Sequence, residues 1–434
     1  MTDDKMQKIV SLAKRRGFVF PGSEIYGGLA NTWDYGPLGA RLLTNIKNLW
    51  WQRFIDKRTD MYPVDTGILM NSKVWEASGH VSSFTDPLVE CKNCHQRFRQ
   101  DQLEGDKCPD CGGGFTEARS FNLMFQTSVG ALLEDGNKVY LRPETAQGMF
   151  VNFKNVVQTM RPKLPFGIAQ VGKAFRNEIT PGNFIFRTLE FEQMEIEYFI
   201  RKENWEKEFE NWKEEMMEWL GELGVNKDKL RWRAHAKEDL SHYSKRTEDV
   251  EYDFPFGWGE LYGLAYRTDF DLSNHSKASG EDLTYEDGQT GERFFPHVVE
   301  PTFGVSRTAL VTLLDAYTED PSTGSGQART YLKLSPKIAP YKVAVFPLVG
   351  NKEDILIKAR EVYDSLRPKF AVVWDERGNI GKRYAAQDEI GTPWCITVDY
   401  KTLEDNTVTI RDRDTTAQVR VEVDKLADWL QNQI

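Results

Sequence analysis

The sequence predicts a mixed α/β protein of two or three domains, and three observations carry that reading. The chain has 434 residues, roughly three times a common domain length. Phe166 to Phe199 holds two apolar and aromatic runs around a turn-rich loop, Thr180-Pro181-Gly182-Asn183, the pattern of two paired strands. Beyond Pro336, strand-like and helical runs alternate, as in a small α/β unit. Apolar residues make up 40% and charged residues 28%, a globular rather than a disordered balance.

Taken in order, Met6 to Arg16 is helical and is stopped by Gly17. Pro37 stands where helices tend to begin, and Leu42, Ile46, Leu49, Trp50 and Phe54 recur at helical spacing. Cys91 to Gly114 reads as a cysteine-bearing insertion. Asn204 to Leu220 is an amphipathic helix whose stripe of Trp205, Phe209, Trp212, Met216 and Trp219 is a packing surface. A Pro/Ser/Gly-rich stretch, Pro321 to Gly326, precedes the tail. There Val343 to Pro347, Phe370 to Trp374 and Trp394 to Val398 read as strands, Lys352 to Leu366 as a helix, and Gln387 to Ile390 as the close of another.

Lys and Arg number 56 against 66 Asp and Glu, a net charge of −10. This excludes a protein that coats nucleic acid through bulk charge and leaves room for a local basic groove. From Pro336 onward the count is 15 basic and 16 acidic, so the tail is the least acidic part and the part best suited to meet a polyanion. No run of about 18 apolar residues spans a membrane, and Met1 to Gly17 is charged with no apolar stretch suited to export. A cytoplasmic location is expected, with cysteines serving as thiols or metal ligands rather than disulfides.

Cys91-x2-Cys94 and Cys108-x2-Cys111 are two knuckles thirteen residues apart. Each pair can place two thiolates on one ion, and together they complete a tetrahedral Zn²⁺ site. Cysteine fills all four positions, so the metal would be structural, with no open coordination position. His95 reads as a surface residue and Cys395 as a small buried one.

The remaining chemistry concentrates in two places. The first is Phe175-Arg176-Asn177-Glu178, then a loop, then Phe186-Arg187-Thr188-Leu189-Glu190-Phe191-Glu192-Gln193-Met194-Glu195. If both arms are strands, Arg176 and Glu178 share a face with Gly172 and Ala174, which are too small to fill it. On the other arm Phe191, Gln193, Glu195 and Glu197 share a face. Charge there is unsuited to a core and suited to a polar ligand lying across the sheet. At about 3.4 Å per residue Phe191 and Glu195 stand about 13 Å apart, a span for a base stacked at one end and an ammonium held at the other. Arg176 offers a planar fork for phosphate. The alternative is a solvent-exposed face of an amphipathic hairpin. The second place is Glu300-Pro301-Thr302-Phe303-Gly304-Val305-Ser306-Arg307, leading into a helix from Thr308 to Tyr317 that Ser306 can cap. An arginine in the first turn of a helix suits phosphate oxygens, and Gly304 lets the backbone come close.

Phe-Arg-x-Glu on a hairpin followed by Gly-x-x-Arg opening a helix resembles motifs 2 and 3 of the class II aminoacyl-tRNA synthetases. Further stretches narrow the likeness: Trp33-Asp34-Tyr35-Gly36-Pro37-Leu38-Gly39, Arg142-Pro143-Glu144-Thr145-Ala146-Gln147-Gly148, Phe254-Pro255-Phe256-Gly257-Trp258-Gly259-Glu260-Leu261, Ile380-Gly381-Lys382-Arg383-Tyr384, and Gln387 to Pro393. With these the sequence is similar to the homodimeric glycyl-tRNA synthetases over nearly its whole length. The resemblance implies an antiparallel catalytic sheet with flanking helices over 1–335, a zinc ribbon inserted at 88–116, and an α/β anticodon-binding domain over 336–434. It further implies ATP with Mg²⁺, glycine and tRNA(Gly) as ligands, and a homodimer.

By the same resemblance Arg176 grips the α-phosphate, Arg307 the far phosphates or the adenine face, and Phe191 stacks on adenine. Glu178 and Glu260 meet the nucleotide or its Mg²⁺. Asn177, Phe186 to Glu190, Leu261 and Gly304 to Ser306 complete the ATP site. Glu144, Glu195 and Glu300 surround the glycine ammonium. Phe191 to Met194, Pro301 to Gly304 and Arg99 complete the amino-acid side. Larger amino acids are excluded by lack of space, so no editing domain is expected. Thr302 stands where many relatives have serine, adding a methyl beside the pocket. The dimer-forming motif 1 is only loosely visible, around Leu38 to Phe54 and Met61 to Leu69. Rival readings are a synthetase of the same subclass for threonine, proline or histidine, and a synthetase-like RNA-binding or regulatory protein without catalysis. The intact Arg176, Glu178, Glu260 and Arg307 speak against loss of catalysis. A zinc-ribbon nucleic-acid module accounts for only about twenty residues.

Overall fold

Period-2 alternation in the hairpin region builds the centre of a seven-stranded sheet. The computed structural model describes residues 2–103, 105–130, 138–179, 182–321 and 329–434. Thr180 and Pro181 of the predicted turn, and residues 322–326 of the Pro/Ser/Gly-rich stretch, lie outside the described residues. The strands are β1 (Met61–Pro63), β2 (Phe166–Phe175), β3 (Glu190–Ile200), β4 (Leu230–Ala234), β5 (Arg246–Phe254), β6 (Gly257–Thr268) and β7 (His297–Gly304). Their order is β4-β5-β6-β7-β3-β2-β1, antiparallel throughout except where β1 runs parallel to β2. In the hairpin Glu190 faces Phe175 and Phe199 faces Phe166.

The two faces of β3 divide the labour. Met194, Ile196, Tyr198 and Ile200 turn into the main core, while Phe191, Gln193, Glu195, Glu197 and Phe199 turn the other way. Under the core face lie the helices Pro37–Trp51, Trp205–Leu223 and Val305–Ala316. The stripe predicted on the second of these is buried at Phe209, Trp212, Met216 and Trp219. The first helix runs on through a wider turn, Gln52–Asp56, that delivers Phe54 to the centre of this layer. Phe54 lies 5.2 Å from Phe303 and 5.9 Å from both Trp212 and Trp219, centroid to centroid. Trp219 Nε1 donates to Tyr262 Oη at 3.1 Å, which satisfies a buried polar atom. On the opposite face the helices Ala146–Val151 and Phe270–Ser279 cover only the far end, over Phe166, Ile168 and Phe199. The near end stays open.

The insertion is a three-stranded sheet in the order Arg97–Arg99, Thr85–Glu90, Arg119–Asn122. After Pro336 the predicted alternation is present. β8 (Val343–Pro347), β9 (Val372–Trp374), β10 (Trp394–Val398), β11 (Thr407–Asp412) and β12 (Gln418–Glu422) form a mixed sheet ordered β9-β8-β10-β11-β12. Its helices include Glu353–Leu366 and Ile380–Ile390, around a core of its own. Buried Asp388 ties this unit to the body, accepting from Arg329 Nε at 2.9 Å and from both terminal nitrogens of Arg411 at 2.9 and 3.0 Å. Glu389 beside it pairs with Arg15 and Arg16 of the helix Thr2–Arg16.

Phe54→Ala is expected to cost about 3–5 kcal/mol, the range for emptying a buried aromatic site, read as a lowered denaturation midpoint in urea.

Candidate active site

The open end of the sheet forms one cleft of about 270 Å³. Arg176, Glu178, Phe191, Glu260 and Arg307 line one half, and Glu144, Gln193, Glu195, Glu300 and Thr302 the other. The strand register explains the second group. Glu195 faces Thr302 across β3 and β7, and Gln193 faces Gly304, so Gln193 and Glu195 on one strand share a face with Glu300 and Thr302 on the other.

At the end lined by Glu144, Glu195 and Glu300 the acids outnumber the cations. Arg267 is fully buried and is the central cation. Its Nε and Nη2 reach Asp271 at 2.8 and 2.9 Å, and its Nη1 reaches Glu300 at 2.9 Å. The guanidinium also lies 3.7 Å from the ring centre of Tyr243, a favourable cation–π placement. A register shift between Tyr266 and Thr268, with Thr268 at φ 59°, locates a β-bulge beside Arg267. Glu144 accepts from Gln147 at 3.0 Å and has His80 Nε2 at 3.2 Å. Glu195 accepts from Thr145, from Gln193 at 3.2 Å and from Thr302 at 2.9 Å.

These partners set opposite charge preferences. Burial raises the Glu144 carboxyl, but His80 and Arg267 outweigh it and hold it below the usual range. Burial, then the charge of Glu144, pushes Glu195 up. Burial, opposed by Arg267 and reinforced by Glu195 and Glu144, pushes Glu300 up to about 8. Arg267 and His80 therefore compensate Glu144 more fully than Glu195 or Glu300.

At the other end Arg307 Nη1 lies 3.0 Å from Glu260 Oε1 and also donates to the Glu260 carbonyl at 2.9 Å. Arg307, with lesser help from Arg176 and Arg187, pulls the Glu260 carboxyl down. The guanidinium groups of 176 and 307 therefore converge on one cavity. Arg176 is held by the Pro143 carbonyl at 3.0 Å and sits 5.3 Å from the ring centre of Phe191. Arg307 lies 4.6 Å from that of Phe186, and Phe186 is braced by Phe254 and Phe256.

Several expectations require correction. β2 ends at Phe175, so strand alternation does not place Arg176 and Glu178, although both reach the cleft. The space over Gly172 is not vacant, because a Cβ there would come within 2.4 Å of the Arg142 guanidinium. The helix after Gly304 starts at Val305, so Ser306 lies inside its first turn and does not cap it. Of the residues assigned by resemblance, Arg187, Thr188, Glu192, Leu261, Gly304 and Ser306 line the cleft. Met194, Phe303 and Val305 point into the core instead. Asn177, Leu189, Glu190 and Pro301 are not among the lining residues; Glu190 pairs with Lys173 outside. Arg99 pairs with Asp86 at 3.0 Å and Asp101 at 2.7 Å and is not itself among the lining residues. Sequence reasoning missed Arg267, Asp271, His80 and the His235–Asp249 pair, 2.6 Å apart at the cleft wall. Only Thr145 and Gln147 stood within a quoted motif.

The four predicted cysteines do come together, all Sγ atoms lying within 4.8 Å of one another. Cys91–Cys111 and Cys94–Cys108 are 3.4 and 3.6 Å apart. A tetrahedral ion at 2.3 Å from each sulfur needs about 3.8 Å between sulfurs, so the cluster fits one zinc. His95 is exposed and Cys395 buried, as read from the sequence.

An antiparallel sheet carrying a paired-arginine cleft, joined to a small mixed α/β unit, is the build of a class II synthetase. The family model described as tRNA synthetase class II core domain (G, H, P, S and T) matches residues 131–317, and the Anticodon binding domain model matches 342–433. Among curated proteins the chain is 52% identical to glycine--tRNA ligase of Caldanaerobacter subterraneus subsp. tengcongensis, over 99% of this chain and 98% of the relative. It is 52% identical to that of Clostridium acetobutylicum over the full length of both, and 51% to that of Thermobifida fusca over 98% and 97%. The chain belongs to the glycine--tRNA ligase family.

Arg267→Met should destabilise the fold by about 3–5 kcal/mol by leaving Asp271 and Glu300 buried without their cation. Equilibrium unfolding in denaturant measures this.

Proposed function

We propose that the chain activates glycine with ATP to glycyl adenylate and pyrophosphate, then transfers glycine to the 3′ end of tRNA(Gly). The observation that supports this most directly is a single cleft with two guanidinium groups at one end and an acid-rich pocket at the other. Glycine offers an ammonium and no side chain, which suits a pocket whose walls are carboxylates fixed by other residues. The hydroxyl of Thr302 lies 2.9 Å from Glu195 and 3.2 Å from Glu300, so it serves as serine would and pins both acids.

The reaction asks little covalent chemistry of the protein. The glycine carboxylate attacks the α-phosphorus in line, so placement and charge neutralisation carry the rate. Arg176, anchored by a backbone carbonyl beside Phe191, is placed to hold the α-phosphate where the adenine ring meets the aromatic face. Arg307 is placed for the far phosphates and exchanges its Glu260 contact for them. Glu178 and Glu260 are the residues that would hold Mg²⁺, whose chemistry is to neutralise the triphosphate. The insertion holds one structural zinc on Cys91, Cys94, Cys108 and Cys111. The C-terminal unit reads the anticodon, and the protein works as a homodimer in the cytoplasm. Free cysteines suit a reducing compartment, and among the described residues no helix is long and apolar enough to cross a membrane. Exposed Ile25, Tyr26 and Leu29 suit an interface with a second copy.

ATP–pyrophosphate exchange across twenty amino acids tests the assignment. Glycine alone should drive it, and exchange driven by threonine, proline or histidine instead would refute the choice. Arg176→Ala should lower exchange by about 100-fold or more, the scale of losing one preorganised contact to developing charge, with the thermal midpoint unchanged. Metal analysis of gently purified protein should return about one zinc per chain.

A further inference from the structure

Beneath the amino-acid end of the cleft lies a side chain that the reading above leaves unused. Glu197 stands two residues past Glu195 on the same face of β3. It is fully buried, and neither of its carboxylate oxygens has a hydrogen-bond partner. The register that pairs Glu195 with Thr302 and Tyr198 with Val299 puts Glu197 opposite Glu300. Carboxylate oxygens of Glu195, Glu197 and Glu300 lie within 4.8 Å of one another.

The charged groups acting on Glu197 come from every side. They are Glu195 on its own strand, Glu300 on β7, Arg267 on β6 and Asp271 on the helix Phe270–Ser279. On the helix Ala146–Val151, Gln147 gives its amide to Glu144 and Asp271, and its oxygen faces His275 at 2.7 Å. His80 is occupied by Glu144. Arg267 has committed its nitrogens to Asp271 and Glu300. Thr145, Gln193 and Thr302 all serve Glu195. Among the described residues no donor reaches Glu197. A bare carboxylate in a dry interior, directly across from another, is strongly unfavourable. Two such acids relieve the conflict by keeping one proton between them.

We propose that Glu197 is a positioning residue for the amino-acid ammonium: with the pocket empty it shares one proton with Glu300, and the arriving ammonium expels that proton so that Glu300 meets it as an anion. The inference rests on the glycine reading of the cleft. One O–H bond of the acid pair breaks, the proton passes to water or buffer, and the amino group stays protonated. Burial and the charge of Glu300 push the Glu197 carboxyl well up, in the sense the pair requires. Burial also raises the Glu300 carboxyl, against the opposing charge of Arg267, so the pair as a whole holds the proton in the empty site. Glycine binding therefore tightens as pH rises and weakens as pH falls.

The test uses the full chain and glycine alone. Calorimetry at pH 7 in buffers of different ionisation heat should show release of about half a proton or more per glycine bound. The glycine KM in exchange should fall by up to about tenfold between pH 6 and 7, since one proton must leave. Glu197→Gln keeps the volume and removes the shared acid. It should abolish the proton release and flatten the pH dependence of the glycine KM, leaving the ATP KM unchanged. A purely structural role would lower the thermal midpoint and keep the proton count. A wild-type protein that releases no proton, or a Gln variant that releases as many, overturns the inference. If the Gln variant does not fold, the wild-type count alone decides. Failure of glycine to drive exchange in the wild type counts against the catalytic reading instead, so that assay comes first.

Discussion

The molecule depends on holding several carboxyl groups inside a dry sheet surface. Glu144, Glu195, Glu197, Asp271 and Glu300 are all buried, and Arg267 is the central guanidinium among them. Such an arrangement is poor for stability, because desolvating each charge costs more than an exposed ion pair returns. It persists because aromatic rings brace the guanidinium and hydroxyls and amides brace the acids.

The same economy explains the two ends of the cleft. Acids line one end and arginines the other. Glu260 is paired with Arg307, so that arginine has a partner of its own within the cleft. The strands between are antiparallel, and their shared face sets the span between the ends. The aromatic layer behind the sheet, centred on Phe54 and Phe303, supplies the rigidity that keeps these charges in place.

Much of this was legible in the residues themselves. Period-2 alternation placed Gln193, Glu195 and Glu197 on one face, the aromatic stripe of 205–223 marked a packing helix, and the cysteine spacing foretold the four-thiol cluster. Chain punctuation located the C-terminal alternation to within a few residues. Arg267 was not legible, because its surroundings depend on a bulge and on acids from three other segments. His80 was hidden for a similar reason, since its partner Glu144 is distant in sequence. Resemblance carried over residues such as Met194, Phe303 and Val305 as a continuous run, whereas a strand or helix shows only part of any run to a ligand.

The opposite orientations of neighbouring residues on β3 make that strand unequal in what it tolerates. Replacing one side chain disturbs one face. Adding or deleting a single residue between Phe191 and Phe199 would swap the faces, driving glutamates into the aromatic layer and methionine and isoleucine into the cleft. Descendants of this gene can therefore explore new letters along the strand but not a new length, and lineages should differ there by spelling alone.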